Sequence, residues 1–118
     1  MKYEQLSTNF SRREFACKGA HCCDGSAPIN PAVVLALESL RAVDDKPITI
    51  GSGYRCHAHN NKPVIERGAG SYDGSQHPKG NAVDLYWEGR DHVQWEREAR
   101  KRFSFVKVYK WGLHCDVR

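Results

Sequence analysis

The feature that most constrains this chain is a change of hydrophobic period partway along it. Asn30-Pro31 is a helix start, an N-cap side chain followed by proline at the first helical position. From there Val33, Val34, Leu37, Leu40 and Val43, with Ala36, recur at helical spacing. The pattern predicts a core helix over 31–44, ended by Asp44-Asp45-Lys46-Pro47. After it the period falls to two. Ile48-Thr49-Ile50 reads as a strand running into Gly51-Ser52-Gly53-Tyr54-Arg55. Further strands are predicted over 82–87, 105–109 and 113–117. A second helix over 91–103 offers Val93, Trp95 and Ala99 for burial. This order gives an α+β fold, a small antiparallel sheet with flanking helices.

The rest of the chain fits around that frame. Ser11-Arg12-Arg13-Glu14 is a capping box opening a short helix that carries Phe15. Residues 17–28 and 57–75 are Gly-rich and polar, so both are loops; a loop as long as the second is usually functional. At 118 residues the chain holds one domain, 1–118, with one core. Apolar residues make up 40%, and no run approaches the length of about 18 that a spanning helix needs. Aromatic residues at 10% argue against a disordered chain.

Net charge is +4, and the densest basic stretch, Arg97 to Arg102, is interleaved with Glu96 and Glu98. Mixed signs describe a solvated helix face, and no nucleic-acid motif accompanies them. The first residues lack the apolar stretch of a secretory signal, so the chain is expected in the cytoplasm as synthesised. It is expected to act as a monomer.

The chemistry concentrates in two places. His77 and Asp84 stand seven residues apart, across a turn and into the second strand. His114 lies on the last strand, where alternation puts His114 and Asp116 on one face and Cys115 on the other. Two imidazole nitrogens and one carboxylate oxygen suit Zn²⁺, with a fourth position open to water.

Ser75-x-His77-x-x-Gly80-x-Ala82-x-Asp84, followed by the distant His114, resembles the signature of the zinc D-alanyl-D-alanine carboxypeptidases. Phage endolysin peptidases and the hedgehog signalling domain are related to them. Ser52-Gly53-Tyr54-Arg55 matches a further segment, and the likeness runs from about Leu6 to Arg118. The start of the chain resembles the compact, peptidase-only branch. The resemblance implies a zinc peptidase cutting stem peptides or cross-links of peptidoglycan. It implies His77, Asp84 and His114 as metal ligands, Arg55 as binder of a substrate carboxylate or carbonyl, and Ser75 as a substrate-binding or loop-positioning hydroxyl. It also implies action in the periplasm or cell wall after release, or as part of a virion.

One position departs from the pattern. Many members carry an acidic general base three residues before the last metal histidine, where this chain has Trp111. Asp116 is the nearest acid, either the base or a group orienting His114. Glu66 and Asp73 are other candidate bases. Tyr109 reads as a core residue, with polarising a carbonyl as the alternative. The departure also motivates a second reading, a zinc-stabilised binding module that has lost catalysis.

Cys17, Cys22 and Cys23 share a loop with His21, and Cys56 follows Arg55. Three readings stand: a second, structural metal using Cys17, Cys22 or Cys23, and Cys56; a disulfide, such as Cys17 or Cys22 with Cys56; or thiols packed as small apolar groups. Cys115 is the candidate odd thiol. His57, His59 and His92 read as surface or loop residues.

Overall fold

The computed structural model describes residues 4–17, 27–55 and 76–118. Helix α1 spans Pro31–Arg41, and the Asn30 side chain caps it by accepting from the Ala32 N–H at 2.9 Å. Its buried residues Val33, Val34, Ala36, Leu37 and Leu40 form the expected stripe. The helix stops three residues before the predicted end. Asp44 leaves the helical path because its carboxylate accepts from Arg90 Nε at 3.0 Å and from the Lys46 N–H at 3.1 Å. Asp45 then turns the chain with a left-handed backbone, φ 53°. Arg90 also donates to the Lys46 and Pro47 carbonyls, tying the end of α1 to the second helix.

That helix, α2, spans His92–Arg100 with Asp91 as its cap. It buries Trp95 and Ala99 but leaves Val93 exposed, contrary to the pattern read from sequence. Arg12–Phe15 is a 3-10 turn in which Glu14 accepts from the Ser11 N–H at 2.7 Å, one arm of the predicted capping box.

The sheet holds β1 (Ile50–Ser52), β2 (Ala82–Tyr86), β3 (Phe105–Val108) and β4 (Gly112–Asp116) in the order β1-β2-β4-β3, all antiparallel. Register sets its two faces. Val83 pairs with Cys115 and Leu85 with Leu113, and these side chains enter the core with Val106, α1 and the aromatic Phe10, Phe15, Trp95 and Phe103. Asp84 pairs with His114 and Ala82 with Asp116, so the opposite face carries the polar residues. The first strand begins two residues later than the alternation suggests, with a bulge between Ile50 and Ser52.

Glu38 anchors the start of the described chain to α1. Its carboxylate accepts from Ser7 Oγ at 2.5 Å, the Asn9 N–H at 2.8 Å and Asn9 Nδ2 at 2.7 Å. Burial works to raise its pKa, but these hydrogen bonds outweigh it and hold the group below the usual glutamate value. Glu38→Ala should therefore lose about 1–2 kcal/mol at neutral pH, measured by urea unfolding. A lowered folded pKa stabilises above the unfolded value, and the benefit is lost as pH falls through the folded one. The gap between wild type and variant should thus close in acid; a gap independent of pH would contradict this role for the carboxylate.

Candidate metal centre

One turn and two strands bring the site together. His77 opens the short turn His77–Lys79, with Pro78 in its first turn and Gly80 closing it at φ +72°. A side chain at 80 would also meet the Pro28 carbonyl oxygen at 2.7 Å, so glycine is required there on both counts. The turn delivers the chain into β2, where Asp84 faces His114 across the β2–β4 ladder.

His77, Asp84 and His114 each place one potential ligand atom within 4.8 Å of the others. His77 Nε2 lies 3.3 Å from Asp84 Oδ1, and His114 Nδ1 lies 3.0 Å from the same oxygen. The outer nitrogens are oriented as metal-binding imidazoles require. His77 Nδ1 is 2.7 Å from the Gly53 carbonyl and donates to it, which leaves the Nε2 lone pair toward Asp84. His114 Nε2 donates to Asp116 Oδ2 at 2.9 Å, which points Nδ1 toward Asp84. An imidazole lone pair and a carboxylate oxygen at such distances repel unless a cation lies between them, either a proton or a metal ion. The N₂O donor set fits Zn²⁺.

The electrostatics agree. Burial works against a charged His114, but Asp84 and Asp116 on its two nitrogens outweigh it and raise its pKa. Burial likewise works to raise Asp84, yet hydrogen bonds from His114 and His77 and the nearby Arg55 charge hold it far below the usual carboxylate range. The site is half-open: His77 is buried, while the side chains of Asp84 and His114 keep a little solvent contact.

The other expected site residues divide. Arg55 stands beside the cluster, its Nη2 3.8 Å from Asp84 Oδ2 and its N–H 3.4 Å from the His77 carbonyl. Its Nε is buried and has no hydrogen-bond partner among the described residues. Asp116 is buried, with both carboxylate oxygens occupied. Oδ2 accepts from His114 and from Arg118 Nη2 at 2.8 Å, and Oδ1 accepts from Arg118 Nε at 2.9 Å and from the Arg118 N–H at 3.2 Å. Ser75, Glu66 and Asp73 lie outside the described residues, as do His21, His57 and His59.

The cysteine readings rest largely on residues outside that set, namely Cys22, Cys23 and Cys56. Cys17 is buried and is not among the metal-ligand groupings of the described residues, so a second structural metal gains no support. Cys115 is buried in the core face, and burial followed by the Asp84 and Asp116 charges pushes its thiol pKa up. It is inert for coordination, as strand alternation indicated.

Tyr109, expected in the core, is instead 37% exposed and stacks on Trp111. Arg118 and the Gly53 carbonyl were not anticipated as partners of the site. Tyr86 was also missed as a site neighbour, although period two places it on the Asp84 face. A groove of about 390 Å³ runs along this face, lined by Gly51, Ser52, Asp84, Tyr86 and Trp111.

Comparison with curated proteins returns no match. The family model described as Peptidase M15 matches residues 8–115, which include Arg55, His77, Asp84 and His114. With a His-Asp-His cluster of suitable donors on a small α+β sheet, the chain belongs to the M15 family of zinc D-Ala-D-Ala carboxypeptidase-like metallopeptidases.

Proposed function

We propose that this protein hydrolyses peptide bonds in peptidoglycan stem peptides or cross-links. The observation that carries the reading is the half-open His77–Asp84–His114 cluster, whose Asp84 lines a groove, with the Arg55 guanidinium beside it. Zinc held there by His77, Asp84 and His114 would supply Lewis acidity toward a carbonyl and toward a water. Arg55 orients the substrate through a carboxylate or carbonyl, a task suited to its paired N–H donors and to an Nε with no hydrogen-bond partner among the described residues. Ser75, just before His77 in sequence, takes a substrate hydrogen bond or holds the loop. Action follows release to the cell wall. Among the described residues no helix is long and apolar enough to cross a membrane.

Asp116 serves as a positioning group for His114. Both its oxygens are occupied, and it sits on the His114 nitrogen remote from Asp84. Asp116→Asn should weaken zinc binding about 10–100-fold, measured by competition with a chelator, and excess zinc should restore turnover. Unchanged zinc affinity with loss of one limb of the pH–rate profile would instead make Asp116 the base.

Digestion of purified muropeptides tests the main reading. Fragments should appear, and their release should stop with EDTA and resume with zinc. Zinc-loaded protein that cuts no muropeptide would favour the binding-module alternative. Trp111, standing at the usual acidic position and lining the groove, is the observation that supports that alternative.

A further inference from the structure

The polar face of the sheet ends in a group of rings that the chemistry above does not use. Trp111 lies parallel to Tyr109, with centroids 5.0 Å apart and planes at 10°. Tyr86 stands edge-on to Trp111 at 5.7 Å and 71°. All three remain between 37% and 44% exposed. Mutual packing holds these rings still, yet leaves much of their apolar surface in water, as a binding surface does.

Two grooves meet at Tyr86 and Trp111. The first, described above, shares Asp84 with the metal cluster. The second, about 530 Å³, adds the polar side chains Glu88, His92 and Lys110 to those two rings. Its walls are fixed from behind. Trp87 stacks on His92 at 3.9 Å and 7°, and its Nε1–H donates to the Lys110 carbonyl at 3.0 Å.

We infer that this second groove is a saccharide subsite, taking a pyranose of the amino-sugar chain that carries the scissile peptide. The inference rests on the peptidoglycan reading. A pyranose presents an apolar C–H face that packs on an aromatic ring, while its rim of hydroxyl and acetamido groups needs donors and acceptors. Tyr86 and Trp111 offer the faces. Glu88 accepts, Lys110 donates, and the His92 ring can do either. A peptide fits this groove poorly. It lies past Tyr86–Gly112, the last pair of the β2–β4 ladder, where no strand edge among the described residues offers backbone hydrogen bonds. Continuity through Tyr86 and Trp111 places the sugar on one side of the rings and the peptide on the side of Asp84.

The test needs no turnover. The 118-residue chain is titrated with a peptide-free β-1,4-linked N-acetylglucosamine tetramer, and separately with free stem peptide, while the tryptophan indole N–H signals are followed by NMR. The tetramer should shift the Trp111 signal saturably, with a Kd on the order of 1 mM, and leave buried Trp95 unmoved. Glu88→Ala should weaken this about fivefold or more, about 1 kcal/mol by the affinity relation. Trp111→Ala, checked for folding by circular dichroism, should abolish the response of the Glu88 and His92 backbone amides. Absence of a saturable tetramer shift in wild type overturns the subsite. So does a shift of the Glu88, His92 and Lys110 signals by stem peptide with none by tetramer. Sugar binding without muropeptide cleavage would uphold the subsite and count against the peptidase reading alone.

Discussion

His77→Ala is expected to lower bound zinc from about one ion per chain to near zero. Hydrolysis should fall by at least about 10³-fold, because several kcal/mol of transition-state stabilisation leave with the metal. The residue is well placed to show this. It is buried, its Nδ1 is committed to the Gly53 carbonyl, and its Nε2 faces Asp84. Asp84→Asn provides a second route to the same end, since it keeps the shape and removes the negative charge that His77, His114 and Arg55 surround. Metal analysis and circular dichroism on both variants separate loss of the ion from loss of the fold. A folded His77→Ala protein that keeps its zinc would show that the ligands lie elsewhere.

The second large effect is expected at a residue with no side chain, two positions before His114 in β4. Gly112 pairs with Tyr86 at the start of β4, and a Cβ placed there would lie 1.8 Å from the Leu85 carbonyl oxygen. No rotamer relieves a clash between a Cβ and a backbone atom. The central ladder must open, and β2 and β4 carry Asp84 and His114. Gly112→Ala should cost about 3 kcal/mol, the upper end for overpacking. It should also reduce zinc affinity, because the facing ligands separate. Chemical unfolding gives the first quantity and chelator competition the second. Wild-type stability in this variant would mean that β4 does not approach β2 this closely.

Much of this arrangement is legible in the chain because short-range rules determine it. Asn30-Pro31 and the Val33–Leu40 stripe specify α1, and alternation specifies which side of β4 carries His114. Motif spacing delivers His77 and Asp84 to a turn and the strand after it. Features set by pairing between distant segments are not legible in this way. Tyr109 reads as the end of an apolar strand, yet β3 stops at Val108 and Tyr109 opens the turn to β4, where it lies on Trp111. The early end of α1 depends on Arg90, 46 residues beyond Asp44. Val93 sits where a helical count allows burial, but α2 turns Trp95 and Ala99 to the core instead. Arg118 stands two residues from Asp116, and spacing alone does not show that its guanidinium and its backbone N–H both fold back onto that carboxylate.

The bond from His77 to the Gly53 carbonyl has a mechanical meaning as well as a chemical one. Asp84 and His114 are 30 residues apart, and His77 stands 24 residues from Gly53. An ion shared by His77, Asp84 and His114 is therefore a cross-link, and the His77–Gly53 bond extends it to the segment that carries Arg55. In the chain-entropy picture, closing a loop of this size is worth about 3.5 kcal/mol. Such a closure is a large share of the stability a domain of this size can have. A metal held there would thus be a staple as well as a reagent, and withdrawing it would slacken the arginine's own segment together with the strands.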